Sequence, residues 1–324
     1  MTQRFKKWSA CGTAFAVGLT LVASLTTALA ATTSSGQGLW GGIDLPPCSA
    51  DGKDCVDPVD GVVKNVTDTK PVELGVKFQA SKPITVVGVR FYKGSENIGQ
   101  HTGTVWDKDG NMLATATFTN ETATGWQDVT FATPVAIGTA DTFIASYFAP
   151  NGGYAYQWQY FTNSGYTVDP VTAQQSIQGD GNGVFNYDQS TFPQNTFRDM
   201  NYWVTPLWTP QFTLSGFFQP VDMGTMVNTV KGGSTVPLKF RVFWGVTEQR
   251  DVSVVDRFRV TREACPGADA IEEFTTTGGT GLRYDTSSSQ FIQNWKTPNN
   301  AGSCYEVTML TTDGSSISAH FKLR

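Results

Sequence analysis

Apolar and polar residues alternate with period two along most of this chain, the pattern of strands that bury one face. In PVELGVKF the residues Val72, Leu74, Val76 and Phe78 fall on one side and Glu73 on the polar side. A second strand runs through ITVVGVRFY, residues 84 to 92. TGTVW, DKDG and MLATATF read as a hairpin, with Asp109-Gly110 supplying the turn. WQDVTF and DTFIASYF follow, and NYWVTPLW, residues 201 to 208, closes the series. Pro206 and Pro210 then interrupt the pattern, and because proline cannot donate to a sheet ladder, a domain junction is expected near residue 210. Beyond it STVPLKFRVF, DRFRVTRE, FIQNWKT, SCYEVTML and SISAHFKLR are again strand-like. No segment shows a long 3.6-residue apolar period, so helices should be few. The expected fold class is all-β: two antiparallel β-sandwich domains, the first jelly-roll-like and the second, of about 110 residues, immunoglobulin-like.

The beginning of the chain breaks this rule. Arg4, Lys6 and Lys7 precede an apolar run from Ala14 to Leu25, and Ala28-Leu29-Ala30 supplies small residues before Ala31. That order is a secretory signal, with cleavage expected after Ala30 and a secreted or surface-associated product. Thr20, Ser24, Thr26 and Thr27 interrupt the run, which argues against an uncleaved membrane anchor, so no membrane span is expected. Cleavage takes three of the 23 basic side chains and none of the 28 acidic ones, leaving a formal net charge of −8. No basic patch remains to hold phosphates, so nucleic acid is not an expected partner.

Export also changes how the cysteines are read. Cys11 leaves with the signal, and four remain. Cys48 and Cys55 are neighbours while Cys265 and Cys304 lie far downstream, so position favours the pairs Cys48–Cys55 and Cys265–Cys304. No histidine lies near either pair, which disfavours zinc.

The stretches PVELGVKF, GVRFYKG, HTGTVW, LATATFTNETATGWQDVTFATPV, ASYFAPNGGYAY, FNYD and NYWV together resemble the bacterial DUF4082 domain across residues 38 to 209. The resemblance implies an extracellular β-sandwich module that recurs beside immunoglobulin-like repeats and has no established reaction. GFFQPVD, NTVKGGSTVPLKF, GLRYD, FIQNWKT and AHFKLR resemble a second bacterial module, the PxKF domain, over residues 212 to 324, with Pro237-Leu238-Lys239-Phe240 as its signature. The insertion CSADGKDC, within an N-terminal segment of residues 31 to 70, departs from the first family and is expected to ornament a loop.

Catalytic groups are sparse. The chain has two histidines, His101 and His320, and no G-x-S-x-G elbow to partner either. Alternation of Ile317, Ala319, Phe321 and Leu323 toward a core leaves His320 on the solvent face. Glu73, Glu96, Glu121 and Asp128 could supply a carboxylate pair, but solvated or hydrogen-bonded strand carboxylates are the commoner use of such residues. No cofactor is expected, with one exception left open, a structural calcium: Asp107, Asp109 and Asn111 copy the opening spacing of a calcium loop, and GDGNG at residues 179 to 183 is similarly oxygen-rich. The same residues also suit a tight turn.

Aromatic residues carry the most information. Tyr154, Tyr156, Trp158 and Tyr160 alternate in YAYQWQYF, so an extended strand would set all four on one face, where sugar rings could stack. Ala155, Gln157 and Gln159 would form the other face, and if the glutamines meet water the aromatics turn to the core, with Trp158 the exception. Trp40, Trp126, Tyr202 and Trp203 are expected in the core, and Phe217 and Phe218 between the second domain and its linker. The expected function is a non-catalytic module that binds polysaccharide or cell-envelope glycan through Tyr156, Trp158, Tyr160 and His101. The alternatives are a structural or adhesive surface protein and a polysaccharide hydrolase or lyase, built on two facing carboxylates or on His101 beside Tyr and Asp.

Overall fold

The computed structural model describes residues 36–40, 54–55, 63–66, 68–265, 272–275 and 281–324. The signal expected over residues 1–30, and the side chains that a Cys48–Cys55 bridge would join, lie outside this description.

The protein is all-β, as the alternation predicts, and residues 35–324 form one compact unit. The strand Val72–Ala80 is central to an eight-stranded sheet, flanked by Thr142–Ala149 on one side and by Val171–Ala173 and Gly183–Tyr187 on the other. Beyond Thr142–Ala149 the sheet continues through Thr102–Asp107 to Met112–Thr117 at its edge. A three-stranded sheet, Val204–Pro210, Ile84–Lys93 and Gly125–Ile137, lies opposite. Val72, Leu74, Val76 and Phe78 face Val86, Val89 and Phe91 across a dry core. Each of these seven side chains is wholly buried, so a one-residue slip of register would move all of them to the wrong face.

A second sandwich follows Pro210, antiparallel except that Val227–Val230 pairs in parallel with Ser316–Leu323. One sheet is built on Phe212–Phe218, Thr235–Trp244 and Gln290–Lys296, and the other on Val255–Glu263, Cys304–Thr311 and Ser316–Leu323. Their core holds Leu238, Phe240, Val242, Phe291, Val307 and Phe321. Phe217 is part of it, 6.1 Å from Phe240, so this residue serves the second core itself. Cys265 and Cys304 are disulfide-bonded, with their Cα atoms 5.0 Å apart. No sheet among the described residues spans both sandwiches. They meet at Trp244, whose ring stacks 6.4 Å from Trp208, donates its Nε1–H to the carbonyl of Pro83 at 2.8 Å, and lies under the Lys82 ammonium at 4.4 Å.

Candidate functional site

A cleft of about 330 Å³ opens on the first sandwich, walled by Tyr154, Tyr156, Trp158, Tyr187 and Tyr202 together with Phe185, Phe197, Met200 and Val66. Three chain segments bring these side chains together. Ala155–Tyr156 pairs with Val63–Asn65, in the register Lys64↔Tyr156. Gly183–Tyr187 pairs with the central strand, Phe185 opposite Leu74. Its first residue must be glycine, because a Cβ there would run into the carbonyl of Met200 on the third segment. That third segment, 197 to 203, turns through left-handed backbone at Arg198 (φ 50°), Asp199 (φ 50°) and Trp203 (φ 53°).

The continuous aromatic row expected from YAYQWQYF does not form. Only Ala155–Tyr156 is strand, and the chain turns from residue 158 onward. The cause is Gln157, which exchanges both backbone hydrogen bonds with Asn201, at 2.9 and 3.0 Å, and buries its side chain. Gln159 then takes left-handed backbone (φ 56°), which ends the alternation. The four aromatics are thereby divided. Tyr156 and Trp158 remain neighbours, 6.3 Å apart with ring planes inclined by 31°, and both wall the cleft. Trp158 is 45% exposed. Tyr154 stands deeper, against Tyr202 at 5.9 Å. Tyr160 instead joins the core, where its hydroxyl accepts the Trp40 indole N–H at 3.2 Å and its ring meets Trp203 at 5.5 Å. Tyr160 is therefore a packing residue and not part of the cleft.

His101 is not in the cleft either. It is fully buried, 4.9 Å from the Phe91 ring, with Nδ1 2.8 Å from Glu121 Oε2 and Nε2 2.8 Å from Asn97 Oδ1. Lys93 Nζ donates to the same Glu121 oxygen at 2.7 Å. Burial lowers the histidine's pKa although the glutamate opposes it. For Glu121 burial acts upward, but the bonds from Lys93 and His101 outweigh it and hold the carboxyl below the usual range. His101 thus has no open face for a ligand or a substrate.

Glu73, on the polar side of its strand, is also fully buried. The segment carrying Ser190 and Phe192 covers that side. Trp106 Nε1–H donates to Ser146 Oγ (2.7 Å), whose hydroxyl donates to Glu73 Oε1 (2.5 Å), while the Ser190 hydroxyl donates to Oε2 (2.9 Å). Burial outweighs these bonds and pushes the carboxyl up to about 7.

Asp107, Asp109 and Asn111 form a self-contained turn. Asp107 Oδ1 accepts the backbone N–H groups of Asp109 and Asn111, each at 2.9 Å, and Oδ2 accepts the Asn111 side-chain amide at 2.7 Å. These bonds, the Asn111 amide foremost, lower the Asp107 pKa. Asp109 pairs with Lys108. In the GDGNG segment Asp180 pairs with Lys77, and Asn182 is buried. Among the described residues no cluster of three or more His, Cys, Asp or Glu is placed to hold a metal ion. His320 stands at the surface, 2.9 Å from Glu263.

The residue that sequence reasoning missed at the cleft is Arg198. Its guanidinium carbon lies 4.6 Å from the Trp158 ring and 5.2 Å from that of Phe197. At the other end, Lys70 Nζ lies 5.9 Å from the Tyr187 ring. The Tyr187 hydroxyl donates to Asp68 Oδ2 at 2.7 Å, and this bond is the main cause of a lowered Asp68 pKa.

Fold and site together define an all-β protein of two sandwiches, the first of which carries an aromatic cleft. Residues 59–204 match the model of a family described as Domain of unknown function (DUF4082). The matched segment takes in nearly all of the first sandwich and the cleft, and it is narrower than the resemblance over residues 38 to 209. No curated protein matches the chain. No helix among the described residues is long and apolar enough to cross a membrane.

Proposed function

We propose that this protein is a non-catalytic glycan-binding module, exported by the signal at residues 1–30, which takes polysaccharide in the aromatic cleft. The observation that carries the reading is the pair Tyr156 and Trp158, one half-buried and one exposed, 6.3 Å apart on the wall of a concave surface. Sugar rings present axial C–H groups as an apolar face, and an aromatic ring receives that face without a hydrogen-bond partner of its own. The cleft has the size and the largely aromatic lining usual for small-ligand sites. Export agrees with the Cys265–Cys304 disulfide, which an oxidising compartment sustains. The second sandwich, PxKF-like in its Pro237-Leu238-Lys239-Phe240 segment, would terminate or anchor the display.

The test is titration of the mature chain against a broad set of soluble and insoluble glycans, with Trp158→Ala and Tyr156→Ala alongside. Each substitution should weaken binding about tenfold, the loss of one good ring contact. Absence of affinity for any glycan, or affinity indifferent to both substitutions, overturns the reading.

A second reading is an adhesive or structural surface protein, and one observation favours it. Met112 and Leu113, on the edge strand Met112–Thr117, are 53% and 41% exposed. An open edge with apolar side chains can pair with another chain. This reading predicts association with the cell envelope that no sugar competes away and that Leu113→Lys abolishes.

A further inference from the structure

We infer that the saccharide taken by this cleft is acidic, a chain of carboxylate-bearing, uronate-type units. The inference rests on the glycan reading above and narrows its ligand class. Its basis is the pair of cations at the two ends of the aromatic wall, Arg198 beside Trp158 and Phe197, and Lys70 beside Tyr187.

Among the described residues neither cation is within salt-bridge distance of a carboxylate, although Lys70 acts on Asp68 electrostatically. Elsewhere on the first sandwich half-buried basic groups meet carboxylates: Lys82 meets Asp169 and Arg90 meets Asp128 through two nitrogens. Arg198 and Lys70 lie against aromatic faces, an arrangement that holds the cation in place without neutralising it. The nearby acids are hydrogen-bonded to other groups but keep their charge, and Asp68 attracts Lys70, so Arg198 carries the greater part of the argument. Asp68 Oδ2 accepts the Tyr187 hydroxyl and Oδ1 the Lys70 backbone N–H at 3.0 Å, while Asp199 Oδ2 accepts the Thr162 hydroxyl at 2.9 Å.

A guanidinium stacked on an indole keeps its N–H edge free, and that edge matches a carboxylate through two parallel hydrogen bonds. A uronate unit offers an apolar ring face for Trp158 or Tyr156 and, at its rim, a carboxylate for Arg198. A neutral hexose offers the first contact only. Charge complementarity is local, because the protein as a whole is acidic, with 28 acidic against 23 basic side chains. General attraction therefore cannot account for polyanion binding, and any that is found must trace to specific cations.

The experiment compares the mature chain's affinity for polygalacturonate, polymannuronate and a glucuronate-containing chain with that for the same polymers after carboxyl reduction, which keeps linkage and ring face but removes charge. At least one acidic polymer should bind about tenfold or more tightly than its reduced form, the worth of one charge-assisted bidentate contact. Arg198→Ala should erase that preference. Arg198→Lys, which keeps charge but not the fork, should fall between, and Lys70→Ala should cost about threefold. Arg198 and Lys70 are exposed, so these variants should fold, and unchanged thermal unfolding checks that. Equal binding of acidic and reduced polymers, or a preference that survives Arg198→Ala, overturns this inference and leaves the glycan reading standing. Failure to bind any polymer of either kind, or any neutral glycan, overturns both.

Discussion

The two sandwiches share an architecture and differ in what they bury. The first encloses ionisable and amide side chains: Glu73, Lys93, Asn97, His101, Gln157, Asn182 and Asn201 are all buried. Among the described residues of the second, the buried polar ones are Thr297, Ser303 and Thr311, with hydroxyls only. A buried charge must be paired and hydrogen-bonded or else neutralised, at a cost that an apolar core avoids. The second sandwich gains its stability from close packing and a covalent crosslink. The first retains costly groups behind and beside the face that carries the cleft, where local rules of foldability are most often broken for function. Redox conditions should therefore govern one sandwich and pH the other.

The largest effect expected concerns the crosslink. Cys265 and Cys304 are 39 residues apart, and closing a loop of that length restricts the unfolded chain by about 4 kcal/mol on the chain-entropy model. Replacing both cysteines by alanine should lower the stability of the second sandwich by up to this amount. Hydrogen exchange resolved by strand provides the readout: protection should fall across Cys304–Thr311 and persist across Thr142–Ala149. An equal loss in both strands would mean that Trp244 couples the sandwiches into one cooperative unit, and the contrast would fail.

Next comes the pH response of the first sandwich. Glu73 titrates near 4.5 when unfolded and near 7 in the fold. Between these values the native state keeps a proton that the unfolded chain has released. The contribution is therefore complete below pH 4.5 and is lost as pH rises through 7, by about 3 kcal/mol. His101 acts in the opposite direction. Its folded pKa lies below 6.5, so as pH falls under 6.5 the unfolded chain gains a proton that the fold refuses, and stability declines on the acid side. The two responses oppose each other below pH 6.5, and between pH 6.5 and 7 the Glu73 loss stands alone, so exchange protection across Val72–Ala80 should fall there. Glu73→Gln, which keeps the hydrogen-bonding shape without the titration, should remove the fall toward pH 7 and leave the acid-side decline of His101. A fall toward pH 7 that persists in this variant would locate the response elsewhere.

The same contrast shows what could be read from the residues alone. Alternation marks the direction in which side chains point, so the strands around Val72, Ile84 and Ser316 were legible, as was the hairpin at Asp109-Gly110. Position along the chain was enough for Cys265–Cys304. Alternation does not report what covers the polar side of a strand. Glu73 points away from the main core as expected, yet Phe192, 5.9 Å from Trp106, closes over that side from more than a hundred residues away. The aromatic row failed for a similar reason, since the partner that stops the strand at Gln157 is Asn201, on a distant segment. Trp158 was legible as the exposed member of its row. Arg198 was not, because its position depends on left-handed backbone at residues 198 and 199, which neither residue type announces.

The smallest effect sharpens where the second sandwich keeps its polar order. Asp313 accepts four hydrogen bonds at a turn: Oδ1 from the Thr311 hydroxyl (2.6 Å) and the Ser315 backbone (3.0 Å), and Oδ2 from the Phe212 backbone (2.7 Å) and the Ser315 hydroxyl (2.9 Å). The carboxylate thereby ties the first residue of the second sandwich to the turn before its last strand. In the first sandwich such networks lie beneath a sheet face, where no water can replace a lost partner. Asp313 is half-buried, so water can replace part of what is lost, and Asp313→Ala should cost about 1 to 2 kcal/mol. The denaturation midpoint measures it, and Asp313→Asn should recover part of the loss because one oxygen remains to accept. A cost as large as that of breaking the His101–Glu121–Lys93 cluster, about 3 kcal/mol or more, would show that this turn is as dependent on its charge as the first sandwich is on its own, and the division between the two would lie elsewhere.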